Sequence, residues 1–308
     1  MDQISSHPLY RKHNIDSAMT ALWEFYKLKF FPLFIASFIM SLIMQYASTL
    51  INFKELYSIT DPQALILKMK DYIWPMITVS VINLFFITIL HYYVIYNPVS
   101  SGNNLFRCAL KSMRYFIPYL IIMVLLTFFA SFALFIGFLA LVIGALFAAI
   151  YVMVIFLFIL PVMLVEGPNI GSTITRTISL AHRNFWSNMG WTAVFVVILI
   201  VLSLILSGIV LLPFTGSFLK SIVNPSDAGA LAEAATNPVY IVLNALVGAV
   251  ILPLMPIFAS ILYFNGRARE EVQSAGKPPE NDYQGRVKVE DLYAGPRQDD
   301  DSEKAIDQ

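Results

Sequence analysis

Residues 116–165 read FIPYLIIMVLLTFFASFALFIGFLALVIGALFAAIYVMVIFLFILPVMLV and contain no charged side chain. As one helix, this block would be roughly 75 Å long, more than twice the hydrocarbon thickness of a bilayer. The chain therefore has to fold back within the block. Glycine permits the backbone dihedrals of a tight reversal, so we predict that the turn lies between Gly137 and Gly144.

Four further apolar runs are long enough to cross a bilayer, which takes about 20 helical residues. They cover residues 30–51, 73–96, 190–212 and 239–264. Together with the two helices of the central block, they predict an all-α membrane protein with six transmembrane helices. The predicted domains are an N-terminal cytoplasmic segment with an amphipathic helix, a transmembrane domain and a disordered tail, over residues 1–29, 30–265 and 266–308.

The composition supports this division. Hydrophobic residues make up 58% of the chain and charged residues only 13%, whereas soluble domains are about one quarter charged. The single cysteine, Cys108, excludes an intramolecular disulfide and any CxxC metal or redox motif. No dense basic face interleaved with aromatic residues occurs, so the pattern does not favour nucleic-acid binding. The tail is rich in Pro, Gly, Asp and Glu and is too polar to bury a core.

The distribution of basic residues predicts the orientation. Of the 20 Lys and Arg residues, all but four fall in the terminal segments or in the connections that share their side of the membrane. The four exceptions are Lys54, Lys68, Lys70 and Lys220. The positive-inside rule therefore places both termini in the cytoplasm, and an even number of spans agrees with this orientation.

Each predicted cytoplasmic connection has the pattern of an amphipathic helix that leads into a span. In FRCALKSMRYF (106–116), Arg107, Lys111 and Arg114 share one face. The stretch STITRTISLAHRNFW (172–186) repeats the pattern R-x6-R-x-F with Arg176 and Arg183. A weaker third copy is IDSAMTALWEFYKLKFFP (15–32). We interpret these copies as three units, each an amphipathic helix followed by a transmembrane hairpin.

The same pattern has a simpler explanation, because cytoplasmic loops before spans are commonly basic and end in aromatic residues. Under either interpretation, the basic faces with Lys111, Arg114 and Arg183 are predicted to contact lipid headgroups or one another.

The spans offer little that could carry chemistry. No span has a charge at its centre, whereas ion-coupled transporters usually have one there. The histidines are scattered, and no HExxH, GxSxG or P-loop motif occurs. We therefore predict a noncatalytic protein without a metal or cofactor. Breaks in helices four and six at Pro161, Pro253 and Pro256 would free backbone carbonyls for a substrate.

Glu166 is the one acidic residue whose position predicts a positively charged partner. A carboxylate at a helix C-terminus opposes the helix dipole, and Gly167-Pro168 then ends the helix. The arginines expected on the same membrane side predict a cytoplasmic cluster, whose members are Glu166, Arg107, Arg176, Arg267 and Arg269. Such a cluster is either a structural ion pair between helix ends or a site for a headgroup or ligand.

Two stretches carry a family resemblance: FILPVMLVEGPNIGSTITRTISLAHRNFWSNMGW (158–191) and FASILYFNGRARE (258–270). They resemble bacterial six-helix membrane proteins related to the glycerophosphoryl diester phosphodiesterase membrane domain. The shared positions are Pro161, Glu166, Gly167, Arg176, Phe185, Trp186, Tyr263, Arg267 and Arg269. The resemblance implies a bacterial inner-membrane protein. It does not carry over phosphodiesterase activity, because the catalytic domain and its metal-binding carboxylates are missing from this sequence.

These observations predict a noncatalytic inner-membrane scaffold or accessory subunit. Its cytoplasmic face would interact with membrane lipids and protein partners, and its oligomeric state is left open. The alternative is a transporter or lipid-handling protein with a cavity between hairpins. A polar, water-reachable cavity near Pro161 and Pro253 would favour transport, whereas a sealed bundle would argue against it.

Overall fold

A computed structural model of the chain describes residues 2–51, 59, 61–100, 104–216 and 236–275. Helices account for nearly all of these residues, and no strand occurs among them. Six helical spans are long and apolar enough to cross a membrane: Phe30–Ser48, Pro62–Tyr96, Leu105–Leu139, Leu141–Glu166, Phe185–Phe214 and Pro238–Gln273. The predicted fold class, an all-α membrane protein with six spans, is therefore confirmed.

The helices are numbered here in chain order. The first five are α1 (Asp2–Ser5), α2 (Ile15–Leu28), α3 (Phe30–Ser48), α4 (Pro62–Tyr96) and α5 (Leu105–Leu139). They are followed by α6 (Leu141–Glu166), α7 (Ile170–Arg183), α8 (Phe185–Leu211), α9 (Pro238–Ile251) and α10 (Leu254–Ala275). The chain divides into two units, residues 1–268 and residues 269–308.

Two helices begin earlier than the hydropathy pattern predicted. Helix α4 begins at Pro62 because the Asp61 carboxylate accepts hydrogen bonds from the amides of Gln63 and Ala64, at 3.1 and 3.3 Å. Helix α5 begins at Leu105, so the predicted amphipathic helix over 106–116 and the third span form one continuous helix. Both helices contain 35 residues. At about 52 Å each, they exceed the thickness of the bilayer core, so part of each helix extends beyond it.

The predicted start of the disordered tail at residue 266 is wrong, because α10 continues to Ala275. The apolar pattern stops at the end of the predicted span, but the polar residues that follow are good helix formers. The rest of the predicted tail, residues 276–308, lies outside the described residues.

The turn in the central block lies where it was predicted, although the glycines act differently from the prediction. Helix α5 ends at Leu139 and α6 begins at Leu141, which itself adopts the left-handed region with φ +63. A Cβ on Gly144 would lie 2.5 Å from the Gly137 carbonyl oxygen, and one on Gly137 would lie 2.8 Å from the Gly144 carbonyl oxygen. The glycines therefore allow the two helices to approach closely, and the reversal itself uses a leucine.

The first and last spans pack through small residues. On α3 the buried face includes Ser37 and Ser41, and on α9 it includes Ala245 and Ala249. Gly248 lies directly against Ser41, because a Cβ on Gly248 would be 2.9 Å from the Ser41 Cβ. Small residues four apart allow such close contact between membrane helices.

The three segments predicted to be amphipathic helices pack in different ways. Helices α2 and α7 are separate helices that end one residue before the next span begins. Helix α7 buries Thr173, Thr177, Leu180 and Ala181, and the Asn188 side chain of α8 donates to the carbonyls of Leu180 and Ala181 at 3.1 and 3.0 Å. This bond satisfies carbonyls at the end of α7 and holds the two helices together.

At the start of α5, the protein-facing residues are the small Cys108 and Ser112, which are fully buried. The large apolar side chains of Phe106, Leu110 and Met113 are more than half exposed. The start of α5 therefore packs closely against the protein through its small residues, and its large apolar side chains point outward.

The core lies where the last turns of α4, the second half of α6 and the first half of α10 meet. Residues 88–95, 157–164 and 257–265 are buried on every side of their helices. The rings of Phe195 and Phe258 stack with centroids 4.0 Å apart and join α8 to this core. Since these segments are enclosed by protein, polar side chains bond to backbone carbonyls of their own helix, as Thr88 does to Leu84 and Ser260 to Pro256.

Candidate functional site

Glu166, the last residue of α6, joins this helix to α7 and α10. Its carboxylate accepts a hydrogen bond from Arg176 Nε at 3.1 Å to each oxygen, one from the Tyr263 hydroxyl at 3.0 Å and one from Arg267 Nη1 at 3.4 Å. Glu166 ends α6, Arg176 lies on α7, and Tyr263 and Arg267 lie on α10. We call these four residues the Glu166 cluster.

The surroundings of the Glu166 cluster favour a structural role. Tyr263 is completely buried, and the side chains of Glu166, Arg176 and Arg267 are each about one quarter exposed. Gly167 ends α6 with φ +116, a region that glycine adopts without strain. Two arginines therefore compensate the carboxylate at the unfavourable end of the helix dipole.

The predicted cluster is reproduced only in part. Arg176 and Arg267 contact Glu166, as the sequence predicted, whereas Arg107 lies in the first turn of α5 and Arg269 belongs to the second unit of the chain. Their membership of the cluster stays a prediction. Only the family resemblance pointed to Tyr263, because a tyrosine in an apolar span gives no signal of a carboxylate partner.

The basic faces predicted to contact headgroups are exposed. The side chains of Lys111 and Arg114 on α5, and of Arg183 at the end of α7, all lie at the surface. Their contact with lipid headgroups stays a prediction.

Of the predicted helix breaks, only the one at Pro253 occurs. Pro161 lies inside the continuous helix α6, so its predicted break is wrong. Pro256 falls in the first turn of α10, where the missing amide hydrogen costs nothing. At Pro253 the last span is interrupted between Ile251 and Leu254. The Tyr26 hydroxyl donates to the Val250 carbonyl beside this break at 3.1 Å.

A cavity of about 320 Å³ lies beside the break at Pro253. We call it the central cavity. Its size is at the lower end of the roughly 300–1,000 Å³ typical of small-molecule sites. Helix α4 lines one side, and the other sides are formed by α6, α8 and both parts of the last span, with Phe156, Leu199, Ile251 and Met255 among the lining residues.

The polar side chains that line the central cavity are Asn83 and His91, both from α4. His91 is only 2% exposed. Its Nδ1 lies 2.9 Å from the Ile87 carbonyl oxygen. The remaining lining residues are apolar and none is charged, so the cavity suits an apolar molecule with few polar groups.

A second cavity, of about 240 Å³, lies between α5, α6 and α7. Its lining is apolar apart from Thr177 and Tyr151. The Thr177 hydroxyl is buried without a hydrogen-bond partner in the part of the chain that the structure describes. The Tyr151 hydroxyl pairs with Nε2 of His182 at 3.2 Å. The sequence shows only scattered histidines and gives no signal of this pair.

The segment before α2 is held by two buried histidines. The His7 ring packs against Phe25 and Phe264, and its Nε2 donates to the Val94 carbonyl at 3.1 Å. The backbone amide of His13 donates to the Asn265 side chain at 2.9 Å. Burial lowers the pKa of His7 from 6.5 to about 4 despite the bond to Val94, and burial also lowers the pKa of His13.

These buried histidines predict a loss of stability in acid. The unfolded chain binds a proton at His7 below about pH 6.5 and the folded chain only near pH 4, so neutral His7 stabilises the fold above pH 6.5. This stabilisation falls by about 3 kcal/mol between pH 6.5 and 4. Thermal unfolding in detergent over this range should therefore shift less in His7→Gln than in the wild type. A pH dependence in His7→Gln equal to that of the wild type would contradict this explanation.

No family model, curated protein or solved structure matches this chain. The resemblance to the membrane domain of glycerophosphoryl diester phosphodiesterases therefore rests on the short motifs around Glu166 and Tyr263 and stays a prediction.

Proposed function

We propose that this protein is a noncatalytic, lipid-binding integral membrane protein that holds a lipid hydrocarbon chain in the central cavity. The observation that carries the proposal is the apolar lining of this cavity at the Pro253 break. A charged or strongly polar solute would lose its hydration there without gaining partners. A lipid hydrocarbon chain has no hydration to lose on entering the cavity, because it moves from one apolar environment to another.

The proposal places the protein in the bacterial inner membrane with both termini in the cytoplasm. The bias of Lys and Arg between the two sides supports this orientation. Transport of a polar solute is the less favoured form of the alternative, since no charged side chain lines the cavity and its polar lining is limited to Asn83 and His91.

Filling the central cavity should remove the bound lipid. Leu199 lines the cavity and is half-buried, so Leu199→Trp places an indole in the space. We expect the wild type purified from its native membrane to retain lipid that Leu199→Trp has largely lost. Lipid extraction and mass spectrometry, normalised to protein, give the measurement.

The matched control lies on the same helix. Leu204 is 68% exposed, so Leu204→Trp adds the same side chain on the outer surface and should retain the wild-type amount of lipid. Equal lipid content in all three proteins would contradict the proposal.

The scaffold or accessory role predicted from the sequence is the second proposal. The surface that supports it is the start of α5, where Phe106, Leu110 and Met113 are exposed beside the basic face of Arg107 and Lys111. Purification from the native membrane also tests this second proposal. A protein partner that copurifies stoichiometrically, and that is lost when the charges of this basic face are reversed, would support a scaffold. Copurification of lipid alone would favour lipid binding.

A further inference from the structure

His91 carries a hydrogen-bond acceptor at the wall of the central cavity. A backbone carbonyl only accepts hydrogen bonds, so the 2.9 Å contact with Ile87 requires the hydrogen of the uncharged ring to lie on Nδ1. The other ring nitrogen, Nε2, is then an acceptor. No hydrogen bond of Nε2 is found among the described residues, and His91 as a whole is 2% exposed.

Asn83 adds a second polar group to the same stripe of α4. It lies eight residues before His91, about 12 Å along the helix axis. The side chain is half-buried, and no hydrogen bond of its amide is found in the described part of the chain. Ile87 and Leu90 line the wall between the two polar groups. The cavity is therefore apolar along its length, with a hydrogen-bonding group toward each end of this wall.

These groups restrict the chemistry of the ligand. An acceptor at the cavity wall without a protein donor gains a hydrogen bond when a ligand O–H group binds beside it. No charged side chain lines the cavity, so a charged headgroup would have no counter-ion there. An amphipathic molecule without charge, bearing one hydrogen-bond donor on a hydrocarbon chain, satisfies both conditions.

We infer that the central cavity binds a neutral lipid with a free hydroxyl group, such as a long-chain alcohol or a diacylglycerol. The hydroxyl donates to Nε2 of His91, and the hydrocarbon chain lies against Ile87, Phe156 and Leu199. This inference rests on the proposed lipid-binding function and specifies its ligand class.

A pair of matched ligands tests the inference directly. Oleyl alcohol and oleyl methyl ether share the same chain, but only the alcohol can donate a hydrogen bond. Each is titrated onto delipidated full-length protein in detergent, and binding is measured by native mass spectrometry. We expect the alcohol to bind roughly tenfold more tightly, the ratio that one hydrogen bond of about 1.4 kcal/mol provides.

Variants at His91 locate the hydroxyl. His91→Phe keeps a ring of similar size without an acceptor and should bind both ligands equally. His91→Gln restores an acceptor through its side-chain oxygen and should recover part of the preference for the alcohol. Asn83→Leu should keep the preference, and it serves as the second variant if His91→Phe does not fold. Loss of the preference in Asn83→Leu would place the hydroxyl at Asn83 and overturn the inference.

The proposed lipid-binding function and this inference about the ligand's hydroxyl group fail in different ways. If the wild type binds alcohol and ether equally and Leu199→Trp binds neither, the cavity holds lipid but not through a hydroxyl, and only this inference is overturned. If the wild type binds neither ligand, both the inference and the proposed lipid-binding function are overturned.

Discussion

Gly248→Val is expected to destabilise the protein by about 1–3 kcal/mol, since overpacking a close contact costs this much. The new side chain would overlap Ser41, whose Cβ lies 2.9 Å from the position of a Cβ on Gly248. Helices α3 and α9 would have to separate, and the first span would lose its contact with the last. Thermal unfolding of the purified protein in detergent measures the change.

Gly208→Val is the matched control for this substitution. Gly208 also lies within a membrane span, on α8, and a Cβ there would meet nothing within 4 Å. Its effect should therefore be small, which separates the steric contact from the intrinsic helix propensity of valine. Equal destabilisation by the two substitutions would contradict the predicted contact.

A double substitution tests the contact itself. Gly248→Ala places a methyl group against Ser41, and Ser41→Gly removes the side chain that it meets. We expect the double variant to be more stable than the sum of the two single effects predicts, as occurs for residues in direct contact. Additive effects would mean that the two helices do not meet at this point.

Glu166→Gln is expected to destabilise the protein by about 1–3 kcal/mol. Breaking a fully buried ion pair costs more, but these side chains are about one quarter exposed, and solvent weakens their interaction. The amide still offers an acceptor to Tyr263, but Arg176 and Arg267 lose the charge that they share. The end of α6 would then be held less tightly to α7 and α10. Thermal unfolding in detergent, at low and high salt, measures the loss.

The control for Glu166→Gln is Glu24→Gln on α2, where the carboxylate is exposed and its neutralisation should change stability little. Tyr263→Phe separates the hydroxyl from the charge and should cost about 1 kcal/mol. Wild-type stability and assembly of Glu166→Gln would contradict a structural role. Glu166 would then be tested for binding of lipid headgroups.

The hydropathy pattern predicted the six spans and the turn near Gly137 because both depend on local properties. A charge-free run of fifty residues must reverse in a bilayer, whatever it packs against. Helix ends were predicted less well. The early start of α4 depends on Asp61 as a cap, and α10 continues to Ala275 because polar residues also form helix.

The contacts of the Glu166 cluster could be predicted from the sequence only in part. A carboxylate at a helix end and arginines on the same membrane side are visible in the sequence, so Arg176 and Arg267 were predicted as partners. Tyr263 lies 97 residues away, and its contact depends on how α10 packs against α6. The sequence also identified Pro161 and Pro253 as equal candidates for a break, although a membrane helix absorbs one proline and is interrupted at the other.

By itself, the sequence determined that this chain is a six-span helical membrane protein, because hydrophobic length and charge are properties of each segment alone. Only the tertiary structure decided that the Gly137 to Gly144 region is a site of close helix approach, that Gly248 meets Ser41, and that His91 faces a cavity. These features depend on which faces of distant helices meet. The apolar faces of membrane helices cannot be told apart in the sequence. The shapes of these faces and the positions of small residues therefore decide which helices pack together.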